Sequence, residues 1–362
     1  MQDPCVSYHM HTPTNPLVSI ITPSYNQAKF LEQTIRSVLA QDYHPIEYII
    51  IDGASTDGSV EIIRRYEAKL AYWISEPDQG QAEAINKGFN RAHGDIVAWL
   101  NSDDLYLPGA VSQAVDALRT DLELGMVFSD ALTIDAQGRP LNLLAFGDWG
   151  LVELMSFRII CQPAVFIRRN ILDQTGLLDP DYHYLLDHHL WIRIAKTAPI
   201  HHVATGSKAV ERKSDDQSFS LWAAARHHPG AKNVNQASKF GEESLQLLAW
   251  IEEQPDLVPL VKRYKKQIYA GAYRLNGRYL LDGGQPKAAL KSYWRAFTNK
   301  PGFTLKHKHR ILYATTSLIG ADGLVDRYYR LPAERKSLLI KSHELEGWPG
   351  LDINKTSRKQ RA

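Results

Sequence analysis

The sequence predicts an α/β protein with a mostly parallel sheet, followed by an α-helical C-terminal region. Three observations carry that prediction. Short apolar runs alternate with amphipathic runs from residue 17 to about 130. Each apolar run ends in a turn rich in Asp, Asn, Ser, Pro or Gly, as strand ends do. After residue 242 the apolar positions fall instead at helical spacing, among many Lys and Arg.

Leu17 to Thr22 reads as a buried strand, and Pro23-Ser24-Tyr25-Asn26 as its turn. From Ala28 to Ala40 the residues Phe30, Leu31, Ile35, Val38 and Leu39 form one helical face. Ile46 to Ile51 is a second strand, ended by Asp52-Gly53-Ala54-Ser55. Asp57 can cap the helix through Val60, Ile62 and Ile63. Ala71 to Ile74 is a third strand, Gln81 to Ala92 a helix, and Asp95 to Leu100 a fourth strand. Repeated strand-helix units of this length build a parallel sheet covered on both faces, and ligands bind beyond its carboxyl edge. The turns at Thr22, Asp52, Glu76 and Ser102 all fall at that edge. Further on, Gln162 to Ile167 is a strand candidate, and Asp187 to Lys196 a helix with Leu190, Trp191 and Ile194 inward. The division expected is a flexible N-terminus at 1–16, an α/β domain at 17–220, a linker at 221–241, a basic helical region at 242–345 and a disordered tail at 346–362. Residues 277–301 resemble one tetratricopeptide-type hairpin.

Composition excludes several classes. The chain has 362 residues, 44% of them hydrophobic and 23% charged, the balance of a globular protein. No apolar run approaches the roughly 18 residues of a membrane helix. Met1 to Pro16 has no apolar signal-peptide core. Cys5 and Cys161 alone offer no disulfide framework, which fits the cytoplasm. Residues 260–362 hold 22 Lys+Arg against 7 Asp+Glu, while 1–259 hold 20 against 33. That basic back half is either a solvated surface or a contact for the inner face of an anionic membrane. No nucleic-acid-binding motif accompanies it.

Chemistry concentrates at Asn101-Ser102-Asp103-Asp104, directly after the apolar run Ile96 to Leu100. Adjacent carboxylates at a buried strand end lose hydration and repel each other unless a cation compensates. Magnesium or manganese suits them, because these ions are usually shared between a carboxylate or two and substrate phosphates.

Four blocks carry a resemblance: Val18 to Asn26, Ile50 to Ser59, Glu76 to Gly88, and Asn101 to Asp104. In this order and spacing they resemble the inverting nucleotide-sugar glycosyltransferases of family 2, across residues 17–220. The resemblance implies the GT-A fold, a nucleoside-diphosphate sugar donor that is usually UDP-linked, and a Mn2+ or Mg2+ cofactor. It also implies a glycan or lipid-linked acceptor in bacterial surface polysaccharide synthesis. By the same resemblance Thr22, Pro23 and Tyr25 wall the base and Asp52 contacts it, the alternative for Asp52 being to cap the following turn. Gly80 and Asn86 belong to the nucleotide-binding set, Asp103 holds the ribose, and Asp104 ligates the metal. Ser102 replaces the first acidic residue of the usual triplet.

The catalytic base is expected at Asp187, in Leu186-Asp187-His188-His189-Leu190-Trp191-Ile192-Arg193, with Asp179 and Asp181 as runners-up. Leu186 stands where the family usually has an acidic residue, which is expected to lower the pKa of Asp187. His183, His188 and His189 invite a zinc reading. Adjacent His188 and His189 point to different helix faces, which argues against it. Arg212 and Lys213 resemble the late loop that closes on the diphosphate. Two other readings compete. A sugar nucleotidyltransferase would need a Gly-rich loop with Arg and Lys after the first strand, and Thr22 to Asn26 offers none. A binding module with lost catalysis is disfavoured by intact Asp103, Asp104 and Asp187.

Overall fold

The structure is a computed structural model that describes residues 15–204, 221–318 and 347–352. The first half alternates as the sequence predicts: β1 (Val18–Ser24), α1 (Ala28–Leu39), β2 (Ile46–Asp52), α2 (Ser59–Tyr66), β3 (Tyr72–Ser75), α3 (Gln81–Arg91) and β4 (Ile96–Trp99). Then come β5 (Leu105–Tyr106), α4 (Ala110–Thr120), β6 (Met126–Ile134), β7 (Pro140–Leu144), α5 (Leu151–Met155), β8 (Val165–Arg168), α6 (Arg169–Thr175), α7 (Leu186–Thr197), β9 (Ile200–Val203) and β10 (Leu221–Arg226). The last helices are α8 (Lys232–Asn235), α9 (Ala237–Glu253), α10 (Val258–Asp282), α11 (Pro286–Asn299), α12 (Pro301–Leu305) and α13 (Lys308–Leu318).

The sheet runs β3-β2-β1-β4-β8-β6-β10-β5, with β7 and β9 also on β6. Strands β1 to β4 are mutually parallel, while β8 enters antiparallel between β4 and β6. Period-two alternation sorts the side chains. Ile21, Ile49, Ile51, Val97 and Trp99 join one buried cluster, which α3, α7, α9 and α10 complete. Val18, Ile20, Tyr48, Ile50, Ile96 and Ala98 join the other, completed by α1, α2 and α4. Asp57, expected as the cap of α2, stands one residue before its N-cap Gly58 and serves the first amides of two helices. It accepts from Ser59 N at 3.1 Å and also from Ala28 N, at the start of α1, at 2.9 Å.

Three expectations are corrected. Residues 221–241 are not a linker: β10 lies between β6 and β5 with Trp222 buried, and α8 and the start of α9 follow. Leu247, Leu248, Ile268 and Leu275 of α9 and α10 share the main core cluster with the sheet, so these helices are packed on it. Residues 347–352, expected in a disordered tail, dock on the fold instead. Trp348 Nε1 donates to Tyr106 O at 2.7 Å, and Trp348 and Leu351 cover Leu105, Leu132 and Ile134. Residues 353–362 and 1–14 lie outside the described residues.

The α10–α11 pair forms the expected helical hairpin, with Ala289, Tyr293 and Leu281 in its core. Residues 286–318 contain seven Lys or Arg and no Asp or Glu. Trp294 and Leu312 are exposed on these helices. Among the described residues no helix is long and apolar enough to cross a membrane.

Candidate active site

A cleft of about 940 Å³ opens beyond the carboxyl ends of β1, β2 and β4. Pro23, Tyr25, Gly53 and Asp78 line one side of it. A Cβ on Gly53 would sit 2.6 Å from Asp78 Oδ2 and 3.3 Å from Tyr25, so a larger residue here would push the Asp78 carboxylate aside. Gly80 opens α3 with φ +124°, a conformation that L side chains rarely adopt. Both glycines line the cleft.

Asp103 and Asp104 form the floor. A turn closed by Asp104 N donating to Asn101 O at 3.0 Å places them there. Asp104 accepts from Arg226 N at 2.8 Å and from Asn101 Nδ2 at 3.2 Å. Burial, and then the adjacent charge of Asp103, push its carboxyl up to about 8. Asp103 Oδ2 lies 3.1 Å from His228 Nε2. The other ring nitrogen, Nδ1, accepts from Gly230 N, so Nε2 carries the proton and donates to Asp103. The Arg226 guanidinium lies over the Phe30 ring and donates to Asp103 O and Gln33 Oε1, each at 2.8 Å. A chain of amides runs outward from the floor. Asn101 Oδ1 accepts from Gln81 Nε2 at 2.8 Å, and Gln81 Oε1 accepts from Lys232 Nζ at 2.9 Å at the cleft mouth.

Asp187 stands in the first turn of α7 and lines the same cleft. Asp104 and Asp187 thus line one cleft, although they come from elements more than 80 residues apart in sequence. Burial raises Asp187 to about 7, against the lowering effect of the His188 N–H, and Glu243 adds a negative neighbour. Leu186 adds no charge beside Asp187, but burial dominates, and Glu243 of α9 supplies a carboxylate near the base.

Glu243 was not legible from sequence. Only 6% exposed, it accepts from three successive amides, His183 N at 2.8 Å, Tyr184 N at 2.7 Å and Leu185 N at 2.5 Å. It thereby fixes the segment that enters α7 two residues before Asp187. Glu243→Ala would strand one buried donor, Leu185 N, and two part-buried ones that water can reach. The expected loss of stability is about 1–3 kcal/mol, the cost of one buried donor without a partner, read as a fall in the urea midpoint. An unchanged midpoint would mean that these amides do not depend on Glu243.

Several residues proposed from the sequence face elsewhere. Thr22 is buried, with its hydroxyl 3.0 Å from the Tyr48 hydroxyl. Asp52 is buried and spends its carboxylate on Ser55 N, Ser55 Oγ and Ser75 Oγ, at 2.9, 2.6 and 2.7 Å. It holds its own turn, while its neighbours Gly53 and Ala54 reach the cleft. Asn86 clamps the backbone of Leu178, at 2.8 and 3.0 Å. Asp179 and Asp181 do not line the cleft. His188 and His189 are buried core side chains, pushed down to about 4 and about 3 by burial. His189 stacks on Tyr182 at 4.2 Å. Arg212 and Lys213 lie outside the described residues. Among the described residues no group of three or more His, Cys, Asp or Glu forms a ready metal cage. Asp103 and Asp104 nevertheless suit an ion that takes part of its shell from substrate phosphates, since two hard oxygen donors face the cleft and their mutual repulsion is only partly offset.

Residues 19–149 match the family model described as glycosyl transferase family 2. This part of the chain is a family 2 glycosyltransferase domain. The matched stretch contains Asp103 and Asp104 but not Asp187, whose place rests on geometry. The chain is 28% identical over 232 residues to an uncharacterized glycosyltransferase of Rickettsia conorii, covering 58% of this chain and 38% of that protein. The chain thus spans under two-fifths of the length of that relative. Its fold is similar to S. aureus TarS 1-349 in complex with UDP-GlcNAc, with TM-score 0.57 and 18% identity over 87% of this chain and 92% of that one. It is also similar to the mannosyltransferase PcManGT from Pyrobaculum calidifontis in complex with GDP-Man and Mn2+, with TM-score 0.53 and 20% identity over 91% and 89%. The fold is GT-A, as expected from the sequence.

Proposed function

We propose that this glycosyltransferase moves a sugar from a nucleoside diphosphate, UDP in the first instance, to an acceptor hydroxyl with inversion at the anomeric carbon. One observation carries the reading: Asp103, Asp104 and Asp187 line one cleft together with Tyr25, Gly53 and Gly80. Family membership supports it, and so do the nucleotide sugars bound by structurally similar proteins.

Asp187 accepts the proton of the acceptor hydroxyl. The acceptor oxygen bonds to the anomeric carbon as the bond from that carbon to the diphosphate oxygen breaks, and the nucleoside diphosphate leaves. Asp103 and Asp104 would hold Mn2+ or Mg2+, and the ion when bound supplies positive charge for the leaving group. Arg226 and the Asn101 amide fix the orientation of Asp104. Tyr25, 64% exposed beside Pro23 and Gly53, offers a ring face to the base.

The test is a panel of UDP-GlcNAc, UDP-glucose, UDP-galactose and GDP-mannose, each with and without Mn2+. At least one donor should raise the Tm in the presence of Mn2+, by mass action. The same donor should slowly release nucleoside diphosphate to water. No stabilisation and no release with any of the four would reject the reading.

A further inference from the structure

Opposite the nucleotide wall the cleft has a surface that the proposed reaction leaves unused. Tyr184, Phe240 and Tyr279 line it together with Leu186 and Asp187. They come from three separate places: the segment before α7, helix α9 and helix α10. The rings are contiguous. Tyr184 and Phe240 have centroids 4.9 Å apart, and Phe240 stacks on Tyr279 at 4.8 Å with 25° between planes. Tyr279 is buried deepest, and the charge of Asp187 is felt at its hydroxyl. Tyr184 and Phe240 are only half-buried, so apolar ring surface faces the cleft water.

The shelf is held in place. Tyr184 N donates to Glu243 at 2.7 Å, and its hydroxyl is hydrogen-bonded to Gln236 Oε1. Phe240 also packs on the main core cluster. Aromatic ring surface beside a base, in a cleft that also holds polar groups such as Gln81, Asn101 and Lys232, suits a ligand with one apolar face and a rim of hydroxyls. A pyranose ring has that form. Its axial C–H groups carry partial positive charge toward the negative ring face, while its hydroxyls stay free for Asp187 and water.

We propose that the Tyr184–Phe240–Tyr279 shelf is the acceptor subsite and takes a pyranose ring, so that the C-terminal helices contribute half of the acceptor site. The proposal rests on the transferase reading for its role but not for its binding. A linear polyol has no flat C–H face and would gain little there.

The experiment is saturation-transfer NMR on the full chain with methyl glycosides of glucose, galactose, mannose and N-acetylglucosamine, beside ribitol as the linear control. At least one glycoside should saturate through its ring C–H protons, and ribitol should not. Phe240→Leu keeps apolar volume in the core but removes the ring, and should weaken that glycoside about 10-fold. Phe240→Trp should restore it. Donor-induced thermal stabilisation in Mn2+ reports that the fold and the donor side persist. If no glycoside saturates, if ribitol saturates equally, or if Phe240→Leu binds like the parent, the shelf is not a pyranose subsite, whatever the donor assay shows. If glycosides bind through Phe240 but no donor is hydrolysed, the subsite stands and the transferase reading falls.

Discussion

Asp187→Asn is expected to reduce sugar transfer by about 10²–10⁴-fold, the usual contribution of a positioned general base. Donor stabilisation in Mn2+ should stay near the parent value, because the proposed role of Asp187 is toward the acceptor and not the diphosphate. A pH profile adds a sharper readout. The base works only when ionised, and burial raises Asp187 to about 7. Transfer by the parent should therefore fall as pH drops through about 7, not through the ordinary carboxylate range near 4. Stability moves the other way. A carboxyl raised on folding contributes stability below its unfolded pKa and loses it as pH rises through the folded value. At pH 8 the parent holds an ionised carboxylate in a desolvated place, so Asp187→Asn should raise the Tm while it abolishes activity. A variant that transfers within a few-fold of the parent, or that is less stable at pH 8, would remove Asp187 from the base role.

Asp104→Asn is the second large effect. It keeps the size of the side chain and an oxygen to accept from Arg226 N, but removes the charge that a cation would require. Losing a direct ligand should exceed the 10–100-fold loss seen when supporting groups of metal sites are changed. Donor stabilisation should become nearly independent of Mn2+, and donor release should slow by at least about 10²-fold. Calorimetric titration of the donor with and without Mn2+ reads this directly. A variant whose donor affinity still responds to Mn2+ as the parent does would mean that Asp104 is not a metal ligand.

Local pattern made the first half of the fold legible. Near-continuous apolar runs in 17–22 and 46–51 marked the strands, and adjacent Asp103 and Asp104 after a buried run marked the floor of the cleft. The failures are as physical as the successes. Thr22 has the strand parity of Val18 and Ile20, and Asp52 that of Tyr48 and Ile50, so both point to the face covered by α1, α2 and α4, and neither lines the cleft. Asn86 stands one turn after Ala82 on α3, close to the stripe that packs inward, and its amide was needed by the Leu178 backbone. The apolar run Leu221 to Ala225, ended by Arg226 and then Pro229-Gly230, repeats the strand-and-turn pattern of the first half. Its His-rich neighbours hid that pattern and, with it, Arg226 and His228. Nothing local could reveal Phe240, Glu243 or Tyr279. They reach Asp187 only because α9 and α10 bury Leu247, Ile268 and Leu275 in the same core as the sheet.

A crystal structure of the protein with UDP and Mn2+ bound is the most telling measurement. The ion should lie between the diphosphate and the carboxylates of Asp103 and Asp104, with the uracil beside Tyr25 and Gly53. The terminal phosphate, where the sugar would attach, should face Asp187 across the cleft. A diphosphate bound away from Asp103 and Asp104, or one whose terminal phosphate turns from Asp187, would contradict the proposed chemistry.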